Sequence, residues 1–225
     1  MEILKAKNLS KKYGKGENEF LALKDVSLSI SKGEFICITG KSGCGKSTLL
    51  HLLSGLDLPT SGEVIINNQN IYKLCEKDLT IFRRKNIGII YQFYNLIPNL
   101  NVKENILLPL LLDKRNINEK RLNELIKTLG LNSKTNSMPN DLSGGLQQRV
   151  AIGRALINKP KILFADEPTG NLDSKNSKKV MNLLNYYNKK YRQTIIMVTH
   201  DESLAKRCKR NIVMKDGKII DDIRR

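Results

Sequence analysis

The chain has 225 residues, of which 40% are hydrophobic, and this length predicts one folding unit with a sizeable core. No uncharged apolar run approaches the roughly 18 residues that indicate a membrane span, and the amino terminus lacks the apolar stretch of a secretory signal. We therefore expect a cytosolic protein. The net charge of +17 favours anionic partners, namely nucleic acid, an acidic membrane leaflet or phosphate ligands. The basic residues are dispersed in short groups, which favours solvated faces over a nucleic-acid tail.

The first part of the chain has the patterning of β-strands. Residues 3–9 and 21–30 predict two strands that flank a polar, glycine-containing loop, and Tyr13 lies at the start of that loop. Two interpretations of Tyr13 are open. Its ring can stack on a nucleobase or pack against the sheet, and composition favours neither.

A glycine-rich segment, residues 40–48, carries the spacing G-x-x-x-x-G-K-[ST] between a predicted strand at 34–39 and a leucine-rich helix at 46–54. Its glycines let backbone N–H groups turn inward around phosphates, and the positive amino end of the helix faces them. Lys46 then reaches the β- and γ-phosphates, and Ser47 places its hydroxyl on Mg2+. The predicted nucleotide-binding residues are Gly40, Lys41, Ser42, Gly43, Cys44, Gly45, Lys46, Ser47 and Thr48.

The middle of the chain changes from a strand and helix pattern to a mainly helical one. A strand at 63–67, a helix at 76–85 and a strand at 87–91 precede Gln92. The segments that follow predict two helices, 101–112 and 118–129, the second behind an Asn118 cap, and then a polar loop at 131–141. We interpret residues 93–158 as a helical subdomain inserted between two strands of the core sheet.

Two carboxylates end a buried strand predicted at residues 160–167. Ligand sites of α/β proteins lie at the carboxyl ends of the strands. Asp166 is therefore predicted to hold Mg2+, directly or through water. Glu167, one residue further on, is placed to orient and deprotonate the attacking water, a role worth about 10²–10⁴-fold in rate.

Two further polar residues follow apolar strands in the same way. Gln92 ends the strand at 87–91, and His200 ends a strand predicted at 194–199 after a long polar helix at 174–191. We expect all four side chains to converge on the sheet edge that faces the γ-phosphate. There Gln92 can contact the metal or the water, and His200 can hydrogen-bond the γ-phosphate. The chain then closes with a hairpin around Asp216-Gly217.

A second glycine-containing anion site is predicted at Ser143-Gly144-Gly145, within the stretch L-S-G-G-L-Q-Q-R. Ser143 can cap a helix whose next two residues expose their backbone N–H groups. The residues alone favour an ordinary helix cap over an anion site.

Taken together, these motifs resemble the ATPase subunits of ABC transporters. The glycine-rich loop, Gln92, residues 142–149, residues 162–167, Gly170-Asn171-Leu172-Asp173 and His200 stand in the order found in that family, and they span nearly the whole chain. The resemblance implies an α/β fold with a P-loop NTPase core, a mixed central sheet, an antiparallel β subdomain and an inserted α-helical subdomain. It also implies a single ABC-type ATPase domain over residues 1–225, with ATP and Mg2+ bound and ATP hydrolysed.

Members of this family sandwich two nucleotides between two ATPase domains arranged head to tail. By resemblance, Ser143, Gly144 and Gly145 would touch the γ-phosphate held by the partner subunit's Lys46. The resemblance therefore implies a homodimer that forms on ATP binding. It also implies that Asp173 helps to build the interface.

The resemblance also concerns Tyr13 and Leu146. It implies that Tyr13 stacks on adenine. Leu146 departs from the family pattern, which usually has glutamine at this position. Because the serine and the glycines are kept, the departure predicts a weaker sandwich in which catalysis survives.

The segment 91–105 narrows the resemblance to lipoprotein-release, macrolide-export and bacitracin-type peptide-resistance systems. This implies a motor subunit at the cytoplasmic face of the cell membrane, which powers export, extraction or peptide-antibiotic resistance through separate integral membrane permease subunits. A cell-division ATPase that signals across the membrane is the alternative. The apolar side chains of this segment either receive a cytoplasmic helix of the permease or belong to the subdomain core; they are Phe93, Tyr94, Leu96, Ile97 and Leu100.

Two other classes compete with the transporter motor. DNA-linked ABC ATPases insert coiled coils or zinc modules, and the short segment between Gln92 and Leu142 has neither a sustained heptad nor a Cys pair, so no nucleic-acid partner is expected. A regulatory ATP-binding scaffold would not need Glu167 and His200.

Overall fold

The computed structural model describes residues 1–224, which form two sheets and a set of helices. The strands are β1 (Glu2–Tyr13), β2 (Phe20–Ser31), β3 (Phe35–Thr39), β4 (Ser61–Ile66), β5 (Gln69–Asn70), β6 (Ile87–Ile90), β7 (Ile162–Asp166), β8 (Thr194–Val198), β9 (Arg210–Lys215) and β10 (Lys218–Arg224). The helices are α1 (Lys46–Leu53), α2 (Glu76–Asn86), α3 (Val102–Leu112), α4 (Glu119–Leu129), α5 (Gly144–Leu156), α6 (Ser174–Tyr191) and α7 (Glu202–Ala205).

The larger sheet has six strands in the order β10-β9-β3-β8-β7-β6. Its strands are parallel except β10, which pairs antiparallel with β9. Ala165 is paired with both Ile90 and Met197, so the carboxyl ends of β6, β7 and β8 lie level with one another. The segments that follow these three strands therefore meet at one edge of the sheet.

The smaller sheet is antiparallel, with the order β2-β1-β4-β5. Together with the mixed six-stranded sheet and the helices between β6 and β7, it gives the α/β architecture implied by the motifs, so the predicted fold class is confirmed. One prediction was wrong in its bounds. The first strand continues to Tyr13, because residues 11–13 pair with residues 20–23, so Tyr13 ends a strand instead of starting a loop.

Two hydrophobic clusters lie on opposite faces of the six-stranded sheet. Successive residues of a strand point to opposite faces. In β7, Leu163 and Ala165 pack with helices α3 to α6, whereas Ile162 and Phe164 pack with α1 and the antiparallel sheet. Because both faces are covered, β3, β7 and β8 are mainly apolar, and their polar residues lie at the strand ends.

The helical part, α3 to α5, lies between β6 and β7. Asn101 caps α3 in a capping box with Glu104, and Asn118 caps α4 by accepting a hydrogen bond from the backbone of Arg121, as its position predicts. The loop at 131–141 contains two short 3-10 turns. Within residues 1–224, no helix is both long enough and apolar enough to cross a membrane.

Candidate active site

The glycine-rich loop connects β3 to α1 at the carboxyl edge of the larger sheet. Gly45 has a φ of 99°, and a Cβ there would lie 2.6 Å from the carbonyl oxygen of Ala22, so only glycine fits. Lys46 is buried, and its Nζ donates to the carbonyl oxygens of Gly40 and Lys41 at 2.9 Å each. The ammonium group is thus held within its own loop, at the amino end of α1.

Asp166 meets the first turn of α1. Its Oδ1 accepts a hydrogen bond from Ser47 Oγ at 3.1 Å, and its Oδ2 lies 3.8 Å from Nε2 of His51. Burial raises the pKa of Asp166, and the contacts with Ser47 and His51 oppose that rise. Sequence reasoning missed His51, although its position four residues after Ser47 places both on one face of α1.

Glu167 follows the end of β7 in a left-handed backbone conformation, with a φ of 43° that is uncommon for a residue other than glycine. Its backbone N–H donates to the carbonyl of Val198 at 3.0 Å, which continues the β7–β8 ladder. Its Oε2 lies 3.1 Å from Nδ1 of His200. The predicted carboxylate and histidine are therefore in direct contact.

Gln92 reaches the same place from the next strand. A Cβ on Gly170 would lie 2.9 Å from Nε2 of Gln92 and 3.3 Å from Oε2 of Glu167, so both side chains flank this glycine. The carbonyl of Gln92 also accepts a hydrogen bond from Asn171 at 3.1 Å. The expected convergence of the four strand-end side chains is thus seen in the structure. The contacts that Gly170 and Asn171 make with Gln92 were not predicted, because they join distant parts of the chain.

Two clefts open beside these groups, and His200 lines both. The larger, about 820 Å3, lies along residues 39–44 of the loop, α7 and β9. The smaller, about 340 Å3, is lined by Glu167 and by residues at the start of α6. Ser143, Gly144 and Gly145 line neither cleft.

The second glycine site lies at the amino end of α5. Ser143 occupies the cap position, but its side chain makes no capping hydrogen bond, so the expected cap was wrong. The backbone carbonyl of Ser143 accepts from Leu146 and Gln147, and its side chain is exposed.

Asp173 is connected to this site through Asn176. It caps α6 by accepting hydrogen bonds from the backbone N and the side-chain Nδ2 of Asn176, each at 2.7 Å. Those hydrogen bonds lower the pKa of Asp173. A Cβ on Gly145 would lie 2.8 Å from Cγ of Asn176, so the start of α5 packs tightly against the start of α6.

Tyr13 lies close to the loop from the side of the smaller sheet. Its hydroxyl donates to Asp57 at 2.8 Å, and its ring lies 5.6 Å from that of Phe20. Burial and the Asp57 bond raise the pKa of Tyr13, whereas a hydrogen bond with Thr48 lowers it. The half-buried ring thus packs on the sheet and touches the nucleotide-binding loop at Thr48.

The apolar segment after Gln92 divides into two parts. Leu96 packs against the hydrophobic cluster that includes α3 to α6. The Tyr94 hydroxyl lies beside Gly144, 2.7 Å from the position that a Cβ on this glycine would take. Phe93 is 72% exposed and Ile97 41% exposed. Tyr94, Leu96 and Leu100 are partly buried, so Phe93 and Ile97 are the most exposed of the five apolar side chains.

A phosphate loop, a strand-end Asp-Glu pair and a Glu–His contact on a mixed sheet define an ATP-binding cassette. A model of the ABC transporter family matches residues 23–170, and the chain belongs to that family.

Similar proteins span almost the whole chain. An uncharacterized ABC transporter ATP-binding protein of Methanocaldococcus jannaschii is 49% identical over 98% of this chain and 99% of its own length. The lipoprotein-releasing system ATP-binding protein LolD of Cytophaga hutchinsonii is 47% identical over 97% of this chain and 99% of its length. The ABC transporter ATP-binding protein YvcR of Bacillus subtilis, also uncharacterized, is 46% identical over 100% of this chain and 88% of its length.

Solved structures agree with the fold. A dimeric post-hydrolysis state of the ATP-binding cassette MJ0796, bound to ADP and Pi, superposes with a TM-score of 0.91 at 45% identity, covering 99% of this chain and 98% of that one. A second dimeric structure of MJ0796 has a TM-score of 0.90 at 44% identity, with the same coverage of both chains.

Proposed function

We propose that this chain is the ATP-hydrolysing motor subunit of an ABC transporter. The observation that carries the proposal is the contact between Glu167 and His200, 3.1 Å apart, beside the phosphate loop. An ATP-binding scaffold without turnover would have no use for a carboxylate held in this way.

The residues beside Lys46 fit a magnesium ion. Mg2+ prefers oxygen ligands, and the Ser47 hydroxyl and the Asp166 carboxylate already lie within hydrogen-bond distance of each other. Gln92 adds an amide oxygen from the neighbouring strand. When bound, Mg2+ neutralises charge on the β- and γ-phosphates.

The chain's own residues would bind the phosphates and activate the water. Glu167 orients the attacking water and takes its proton, and His200 positions Glu167 and hydrogen-bonds the γ-phosphate. Lys46 binds the phosphates together with the backbone N–H groups of residues 40–48. General-base catalysis of this kind is worth about 10²–10⁴-fold in rate.

The amino end of α5 supplies the other half of a second site. The exposed Ser143 hydroxyl and the backbone of Gly144 and Gly145 would bind the γ-phosphate held by another copy of the chain, in a head-to-tail homodimer. The dimeric structures of MJ0796 support association of two copies.

The motion of this dimer would be passed to separate integral membrane permeases, through the exposed Phe93 and Ile97. The protein then works at the cytoplasmic face of the membrane and powers export, extraction or peptide-antibiotic resistance. Similarity to LolD favours lipoprotein release among these roles. A cell-division-type ATPase would use the same surface.

Phosphate release by purified wild type and Glu167→Gln tests hydrolysis. We expect the variant to lose about 10²–10⁴-fold in rate while ATP still binds. Glu76→Gln, at an exposed helix start, is the matched control and keeps wild-type turnover. Equal rates for wild type and Glu167→Gln would refute the motor. The membrane protein that copurifies in mild detergent then identifies the transport system.

A further inference from the structure

The end of helix α3 exposes apolar side chains that the fold does not cover. On its inner face Ile106, Leu107 and Leu110 are buried in the core. Yet Leu111 is 52% exposed and Leu112 is 63% exposed, and Ile117 in the following loop is 36% exposed. Residues 106–112, the second half of α3, are apolar around the whole circumference of the helix. Such a surface is normally buried on all sides, so its uncovered end indicates an interaction surface.

These leucines are held in place and do not belong to a frayed helix end. Arg115 N–H donates to Leu110, and Lys114 N–H donates to Leu111, which is the pattern of a Schellman cap. Lys114 takes the left-handed conformation, with a φ of 51°. Arg84 of α2 also donates to the carbonyl of Leu112 at 2.9 Å.

The charges around the leucines are unbalanced. The two acidic residues of this loop already have basic partners: Asp113 pairs with Arg84 at 3.2 Å, and Glu119 pairs with Lys103 at 3.6 Å. Three exposed basic residues beside them have no carboxylate within 4.0 Å among residues 1–224; they are Lys114, Arg115 and Lys120. We call residues 111–120 the α3–α4 tip.

We propose that the α3–α4 tip docks on an anionic lipid surface. Leu111, Leu112 and Ile117 would enter the boundary between headgroups and acyl chains, and the three unpaired cations would meet lipid phosphates. A protein partner would need several carboxylates to match the same cations. An anionic leaflet instead offers negatively charged headgroups over its whole surface.

This contact goes beyond the proposed motor function. It involves none of the residues that bind ATP or the membrane subunits, so the isolated chain should bind lipid with its nucleotide site disabled. A tip that also touches the membrane would fix the orientation of the helical part relative to the bilayer.

Cosedimentation with vesicles tests the proposal. The vesicles are phosphatidylcholine alone or phosphatidylcholine with 30% phosphatidylglycerol, the latter at about 0.05 and 0.5 M salt. We expect binding to the anionic vesicles at low salt only, because the Debye length falls several-fold between these conditions.

Two double variants probe the two parts of the tip. Leu111→Ser with Leu112→Ser, and Lys114→Gln with Arg115→Gln, should each weaken vesicle binding about tenfold or more. The apolar control is Leu58→Ser, which is 62% exposed in a different part of the chain. The charge control is Lys134→Gln with Lys189→Gln, two exposed lysines outside the tip.

The outcomes are distinct. The proposal stands if only the tip variants lose binding while thermal unfolding and soluble phosphate release stay at wild-type values. It is wrong if the wild type ignores anionic vesicles, if neutral vesicles bind equally, or if the controls lose as much as the tip variants. It is also wrong if the tip variants keep lipid binding and lose only the copurifying membrane protein, because the tip then docks on protein. Failure of the motor proposal would appear in phosphate release alone.

Discussion

Each of the two glycine-containing sites of this chain lies at the amino end of a helix, but the two sites differ in what surrounds them. In the loop 40–48 the buried Lys46 is bonded to carbonyls of its own loop, and Ser47 is bonded to Asp166. At the start of α5, Ser143 is exposed and its side chain makes no capping hydrogen bond with its own helix. The groups of the first site are bonded to one another within one chain, whereas the second site leaves the Ser143 side chain exposed, which is why we propose that it meets a ligand held by another copy.

The strongest test of this difference removes the charge of the first site. Lys46→Ala should abolish ATP binding and ATP-dependent dimerisation together, since losing a buried charged contact costs about 2–5 kcal/mol. A fluorescent ATP analogue and light scattering measure the two effects. Lys41→Ala is the control, because that residue contributes its backbone. A variant that dimerises with ATP despite lacking Lys46 would contradict the assignment.

A change at the second site should separate the two effects. Gly145→Ala places a Cβ 2.8 Å from Asn176, so the amino end of α5 or the Asn176 side chain must shift. We expect ATP binding by the monomer to persist while turnover falls about 10²-fold, the typical cost of losing one backbone donor. Ser143→Ala should lower turnover without changing thermal stability. Loss of ATP binding in Gly145→Ala would mean that both sites act within one chain.

A smaller effect is expected at Leu146, which partly packs against the core. Leu146→Gln should strengthen ATP-driven dimerisation a few-fold, about 1 kcal/mol, by adding a hydrogen bond at the second site. Titration of dimer formation against protein concentration measures it. Unchanged dimerisation and turnover would show that the leucine does not weaken the sandwich.

The smallest effect concerns stability at the first site. Since burial raises the pKa of Asp166, the ionised carboxylate is disfavoured in the fold near pH 7. Asp166→Asn should therefore raise Tm at neutral pH, and the gain should shrink as pH falls through the folded-state pKa toward the ordinary value near 4. Thermal unfolding at several pH values measures this.

Asp57→Asn is the control of opposite sign. Burial acts to raise its pKa, but hydrogen bonds from Lys11 and Tyr13 lower the pKa of Asp57 overall. This carboxylate thus stabilises the fold above its unfolded pKa, and the contribution is lost as pH falls through the folded pKa. Equal Tm changes in both variants would contradict the electrostatic account.

Local patterns predicted the parts of the fold that depend on neighbouring residues. The Asn118 cap and the turn at Asp216-Gly217 follow from short-range hydrogen bonds and backbone preferences, so sequence sufficed. The convergence of Gln92, Asp166, Glu167 and His200 was predictable too, because parallel strands end at one edge.

The features that the sequence did not predict correctly depend on contacts or side-chain orientations that local patterns do not encode. Tyr13 was placed in a loop because its pairing with Phe20 on β2 leaves no local signal. The expected Ser143 cap failed because cap preference cannot tell whether the hydroxyl turns toward its helix. The packing of Gly170 between Gln92 and Glu167 depends on where two strand ends meet. The binding roles of all these residues stay predictions.

Asn176 gives the molecule a mechanical property. It is bonded to Asp173 and packed against Gly145, while Gln148 of α5 donates to the carbonyl of Pro168 at 2.6 Å. The start of α5, the start of α6 and the segment after Glu167 are thus linked by direct contacts. A displacement of the segment after Glu167 would therefore change the packing at the start of α5, next to Ser143.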